Sequence, residues 1–165
     1  MGGILVDIAN LQAINNEVEI LIINSDIEQS LLATLNKNIK VRRINCPARS
    51  RNPFYIMKLN VIIAFSNADI FHFHQDNLIN YILVRVLKRN LCLTVHCVTL
   101  DIKCIHKYDY VFAISEAVKE SVKRKTGIDA WQTHLNSLGF SINNYYSIRH
   151  RVFFLSHFSF LTVHV

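Results

Sequence analysis

Short apolar runs rich in β-branched residues recur along this chain, with segments of helical length between them. Residues 18–23 read Val-Glu-Ile-Leu-Ile-Ile, 39–44 Ile-Lys-Val-Arg-Arg-Ile, 69–73 Asp-Ile-Phe-His-Phe and 91–95 Leu-Cys-Leu-Thr-Val, and residues 108–114 form a further run. Alternation of strand and helix with short turns is the pattern of βαβ units around a parallel sheet. Strands apolar on both faces belong in a sheet covered by helices on both sides. The expected fold is therefore α/β, a Rossmann-like parallel sheet with helices on both faces.

The intervening segments carry their own signals. Ile4, Ile8 and Leu11 fall on one face of an amphipathic helix over residues 4–14. Asn24, Ser25 and Asp26 offer an N-cap to a helix over residues 27–36. Pro53 suits the first turn of a helix running to about Ser66, residues 77–88 read as another, and Ser115 caps one that runs to about Lys125.

With 165 residues, 51% apolar and 18% charged, the chain suits one domain with one core, or a domain plus a tail. The net charge of +6 is spread in ones and twos without interleaved aromatics, which argues against a nucleic-acid partner. It reads as a solvated surface with a mild basic bias, or as attraction to an anionic membrane face or a phosphorylated substrate. Cys46, Cys92, Cys97 and Cys104 contain no C-x-x-C pair, and Cys92 lies in an apolar run where a thiol acts as a small hydrophobe. That usage fits a reducing cytoplasm. Asp7 interrupts the apolar start, so no signal peptide is read there, and no stretch is long enough to span a membrane. The expected location is cytoplasmic, with at most peripheral contact at the inner membrane face.

Composition changes after Asp129. All twelve acidic residues lie at or before it, whereas the later residues carry only Arg149 and Arg151 as charges, with four of the eight histidines and eight of the seventeen aromatics. Residues 2–129 are thus read as the domain. Residues 130–165 are read as an aromatic, low-charge tail, and a segment never selected to fold is preferred over a strand or a membrane-adhering end.

In an open parallel sheet, ligands bind outside the carboxyl ends of the strands. Gly2 and Gly3 stand directly before the first helix, where glycine allows close backbone approach and a helix N-terminus favours phosphate; a flexible leader is the plainer reading. His72 and His74 share one face at the end of a strand, with His74 at its tip. His72 reads as a satisfied interior imidazole, or the pair binds a metal with His96, Cys97 or His106, although no third ligand is fixed by spacing. His96 closes the next strand, placed to hydrogen-bond a sugar hydroxyl or to act as acid or base. Ser115 and Glu116 read first as an N-cap and its dipole-matched neighbour.

These residues together resemble a known family. Gly-Gly-Ile-Leu-Val-Asp-Ile-Ala-Asn at residues 2–10 resembles the opening loop and first helix of family 4 glycosyltransferases, and Asn-Glu-Val-Glu-Ile-Leu-Ile-Ile at residues 16–23 resembles their next strand entry. Ala-Asp-Ile-Phe-His-Phe-His at residues 68–74, Leu-Thr-Val-His at 93–96 and Tyr-Asp-Tyr-Val-Phe-Ala-Ile-Ser-Glu at 108–116 are similar to three further family blocks in the same order. The resemblance covers residues 2–129.

It implies the N-terminal, acceptor-side half of a GT-B fold, and a retaining, metal-independent transfer of a hexosyl group. The sugar would pass from a nucleotide-sugar to a glycan or lipid-linked acceptor, as in cell-envelope polysaccharide synthesis. No cofactor is implied, the nucleotide-sugar being a substrate. Gly2 and Gly3 would approach the donor diphosphate, His96 would contact the donor sugar as the catalytic residue, and His74, Ser115 and Glu116 would line the cleft. Arg49 and Arg51 face an anionic acceptor or belong to a solvated loop. The chain departs from the family pattern in having no strand ahead of the glycine pair, Cys97 after His96 and no second, donor-binding domain within these residues. A separate donor-binding domain is therefore an expected partner. A non-catalytic sugar- or phosphate-binding module and a functionless remnant are the alternatives.

Overall fold

The computed structural model describes residues 2–24, 29–47, 50, 52–83, 90–98, 102–132 and 151–156. These form helix α1 (Gly2–Gln12), strand β1 (Glu17–Asn24), α2 (Gln29–Ala33), β2 (Lys40–Cys46), α3 (Pro53–Phe65), β3 (Ile70–Phe73), β4 (Asn90–Val95), β5 (Tyr110–Ala113), α4 (Glu116–Thr126), β6 (Trp131–Gln132) and β7 (Arg151–Ser156). All strand pairings are parallel, and the described sheet has the order β2-β1-β7-β3-β4-β5-β6. The chain is an α/β Rossmann-like domain. Ser25, Asp26, Arg49, Arg51, residues 84–88 and most of the tail lie outside the described residues.

Alternation along the strands builds two cores. Leu21, Phe71, Phe73, Leu93, Val111 and Leu155 face α3 and α4, meeting Leu59, Ile63, Val118 and Val122. Ile20, Ile22, Ile70, Cys92 and Phe154 face the other way, onto Leu5, Ile8 and Ala9 of α1 and Leu32 of α2. In α1, Asn10 ties the two helices on that face together: its Nδ2 donates to the Thr34 carbonyl at 2.9 Å and its Oδ1 accepts from the Asn36 amide at 2.7 Å. Burial pushes the Cys92 thiol up to about 12, with Asp109 adding to it, so this cysteine packs as a neutral hydrophobe.

Three expectations are corrected. The tail was expected to lie outside the domain, yet Arg151–Ser156 runs through the middle of the sheet, paired with β1 on one side and β3 on the other. In a doubly wound sheet of strand order 3-2-1-4-5-6, the first strand holds that position. Here β7 holds it, which explains why Phe154 and Leu155 are fully buried.

The glycine pair lies not in a loop before α1 but in its first turn. A Cβ added at Gly3 would meet nothing within 4 Å, so no packing contact within the chain requires glycine there.

The third correction concerns residues 77–88. Where a long helix was expected, a 3₁₀ helix spans Asp76–Tyr81. Its far end is captured by Asn60 of α3, whose Nδ2 donates to the Tyr81 carbonyl at 2.8 Å and whose Oδ1 accepts from the Leu83 amide at 2.6 Å. Those bonds occupy backbone groups that a continuing α-helix would use for itself.

Candidate functional site

The strands run outward in chain order on either side of β7, β1 to β2 one way and β3 to β6 the other. The crevice outside the carboxyl ends of β7 and its neighbours is therefore the expected ligand position. His74 follows β3 at this point, and its amide donates to the Leu155 carbonyl of β7 at 3.2 Å. Period-two alternation places His72 and His74 on the α1 face, one turned inward and one at the rim. His96 follows β4 in the same way, after Thr94.

The four side chains form one array. His72 is buried, and its Nε2 lies 2.6 Å from the Thr94 hydroxyl. Its ring stacks on His74 at 4.8 Å and on Phe154 at 5.0 Å. His74 in turn stacks on His96 at 5.0 Å, with His74 Nδ1 and His96 Nε2 hydrogen-bonded at 2.8 Å. Three imidazoles are thus held as a ladder rather than splayed around a point. Among the described residues no group of three His, Cys, Asp or Glu is arranged to hold a metal ion. His106, considered as a further ligand, lies exposed in a separate 3₁₀ turn (Ile105–Lys107).

Burial decides the charge of the array. It lowers His72 to about 3, with the neighbouring His96 adding to the effect. Burial likewise holds His74 well below the usual imidazole range, with His72 and His96 contributing. His96 is lowered to about 4, chiefly by burial. All three are neutral near pH 7.

Neutrality has a consequence for hydrogen bonding. A neutral imidazole has one N–H and one lone pair. Whichever ring donates in the His74–His96 bond, the pair has one donor and one acceptor left over, at His74 Nε2 and His96 Nδ1. Both atoms are buried, and neither has a hydrogen-bond partner among the described residues. A hydroxyl group, itself a donor and an acceptor, matches that offering.

The other predicted residues fall nearby without joining the array. Helix α1 leads through a short turn into β1, so it runs antiparallel to the strands and sets Gly2 and Gly3 at the carboxyl edge. Ser115 also stands at this edge, beyond β5, but its hydroxyl caps α4 by accepting from the Val118 amide at 3.3 Å. Glu116 is exposed and pairs with Lys119 at 3.7 Å. The plainer reading of both is the one their contacts support.

Two contributors escaped sequence reasoning. Thr94 was seen only as part of a motif, and Phe154 lay in a segment read as unfolded. A second feature of the carboxyl edge is a cavity of about 420 Å³ on the α3 face, lined by Cys46, Asn52, Tyr55, Gln75 and Tyr81 among others. Gln75 Oε1 is buried beside it with no hydrogen-bond partner among the described residues. Asn45, with φ of 58°, lies within β2 where its pairing with β1 shifts register, immediately before Cys46. Burial raises the Cys46 thiol while a hydrogen bond to Ser50 opposes this, which does not describe an activated nucleophile.

No protein-family profile, curated protein or solved structure matches this chain.

Proposed function

We propose that this domain is the acceptor-side half of a retaining glycosyltransferase of the family 4 type, and that the His74–His96 pair holds a hydroxyl of the sugar being transferred. The observation that carries the reading is the neutral pair itself, which leaves one buried donor and one buried acceptor at the carboxyl edge. The ordered set of five sequence blocks supports the family, and the parallel sheet is compatible with it.

On this reading His96 is a hydrogen-bonding rather than a proton-transferring catalytic group. A side chain whose pKa is lowered to about 4 is a poor general acid near pH 7. Its use is to orient the sugar as the bond from the anomeric carbon to the nucleotide diphosphate breaks and the bond to the acceptor oxygen forms. Neutral imidazoles also suit a sugar hydroxyl better than a phosphate, which would call for positive charge. The groups that would contact the nucleotide belong to a second, donor-binding domain. The proposed activity is therefore transfer in the presence of such a domain, at the cytoplasmic side of a membrane that carries the acceptor.

The test has two parts. Imidazole resonances of His74 and His96 are followed by NMR as nucleotide-sugars and simple saccharides are added. Transfer is then measured after adding a separately produced donor-binding domain. Shifts at both histidines together with transfer support the full reading, and shifts without transfer reduce it to a sugar-binding module. Silence at both histidines with every saccharide ends it.

A further inference from the structure

Apart from Lys58 and Asn60, helix α3 is apolar on its outward face as well as on the face it buries. Leu59 and Ile63 are buried against the sheet, with Tyr55 and Ile62 packed beside them. The outward positions are Phe54, Met57, Val61 and Phe65, all exposed. Their spacing of three, four and four residues aligns them along one face. Phe65 is 81% exposed, and Leu83, which follows the neighbouring 3₁₀ turn, is 75% exposed. With Tyr81 they line a shallow groove of about 900 Å³. A surface helix ordinarily turns polar residues outward, and a continuous apolar stripe marks a place where something binds.

Charge indicates what covers it. No Asp or Glu occurs between Glu28 and Asp69, a span holding seven lysines and arginines, and Arg85, Lys88 and Arg89 follow Leu83 closely in sequence. In space, Lys40 and Arg42 share a cleft with Phe65 at one end of the stripe. Beside the groove, Lys107 Nζ donates to Asn80 Oδ1 at 2.7 Å, and Asn80 is one of the lining residues. Glu19 and Glu17, which line the same cleft, are paired with Arg42 and Arg151. Exposed apolar side chains with cations such as Lys40 and Lys107 beside them are the two components of interfacial membrane binding: burial at the headgroup–acyl boundary and attraction to anionic lipid. Among the described residues no helix is long and apolar enough to cross a membrane, so the contact is one of lying on the surface.

We infer that α3 docks this chain on an anionic lipid surface, with Phe54, Met57, Val61, Phe65 and Leu83 entering the interface and nearby cations such as Lys40 and Lys107 meeting lipid phosphates. The inference is independent of the sugar-transfer reading, because the histidine array lies on the opposite face of the sheet.

The experiment is co-sedimentation of the full chain with vesicles of phosphatidylcholine and phosphatidylglycerol in equal parts, against vesicles of phosphatidylcholine alone. Expected is binding to the anionic vesicles that weakens with added salt, and that falls by at least about tenfold in the double variant Phe54→Ser/Phe65→Ser. The variant Phe54→Leu/Phe65→Leu keeps the apolar face and is expected to bind nearly as wild type, while circular dichroism confirms that both variants are folded. Equal partition into neutral vesicles, undiminished binding by the folded Ser variant, or no binding to either vesicle overturns the inference. Self-association lost in the Ser variant, with no vesicle binding, also overturns it and assigns the face to a second copy of the chain.

Discussion

The backbone amide of His74 is held by the carbonyl of Leu155 at 3.2 Å, so the tip of β3 is fixed by a strand from the far end of the chain. The Phe154 ring, next to that carbonyl, stacks on His72 at 5.0 Å and lies 5.7 Å from His74. The site and the centre of the sheet therefore depend on the same six residues. Strands β1 and β3 do not pair with one another, and β7 alone bridges them by hydrogen bonds among the described residues.

Phe154→Ala is accordingly expected to be one of the most damaging single substitutions. The ring is fully buried, and its loss removes both apolar burial and the surface on which two imidazoles rest. A cost of about 3–5 kcal/mol is expected. Urea unfolding measures it, and a loss below about 1 kcal/mol would contradict the central placement of β7.

Thr94→Val tests the inner hydrogen bond of the array. The substitution keeps the shape and removes the hydroxyl 2.6 Å from His72 Nε2, leaving a buried ring nitrogen without its partner. Destabilisation of about 1–3 kcal/mol is expected, and Thr94→Ser is expected to recover most of it. Equal stability of the Val and Ser variants would show that the bond contributes nothing.

Stability should fall as the solution is acidified, and the sign follows from the direction of the shifts. His72 and His96 have folded pKa values lowered to about 3 and about 4, below the ordinary 6.5 that applies in the unfolded chain. Between those limits the unfolded chain binds more protons than the folded one, so stability is full above about pH 6.5 and is lost as pH falls toward 4 and then 3. Melting temperatures measured from pH 7.5 downward should drop within this window, and His96→Gln should flatten the profile. A profile unchanged by that substitution would place the pH sensitivity elsewhere.

How much of this was legible in the sequence depends on whether the signal was local. The runs around Ile20, Phe71 and Leu93 are apolar on both faces, so a helix-covered parallel sheet follows from them directly. Ser115 is an N-cap that can be read from its neighbours, and the alternation of His72 and His74 put both on one face. The position of β7 was not legible, because parallel strands meet over long sequence separations and nothing near Arg151 names β1 or β3 as its neighbours. The 3₁₀ turn after β3 was hidden for the same reason: its end is set by Asn60, on a different helix. At the site, each histidine was visible, but the bond between His74 and His96 required two strand tips to be placed side by side.

The proposed sugar contact makes a prediction that separates binding from folding. His96→Gln retains a donor and an acceptor on a planar group, whereas His96→Phe retains the ring stacked on His74 and has neither. The Phe variant also leaves His74 Nδ1 without its partner at 2.8 Å, so both variants are first compared by thermal unfolding to confirm a folded domain. Losing a neutral hydrogen bond to a ligand costs about 0.5–1.5 kcal/mol, or roughly two- to tenfold in Kd. Saccharide affinity, read from the His74 imidazole shift, should weaken by that factor or more in His96→Phe and by less in His96→Gln. Because the pair is neutral, the affinity should also stay flat between pH 6 and pH 8, where a contact made by a protonated histidine would weaken as pH rises. An affinity that climbs steeply on acidification through pH 6.5 would mean that a charged imidazole holds the ligand, and the neutral donor–acceptor arrangement would have to be abandoned.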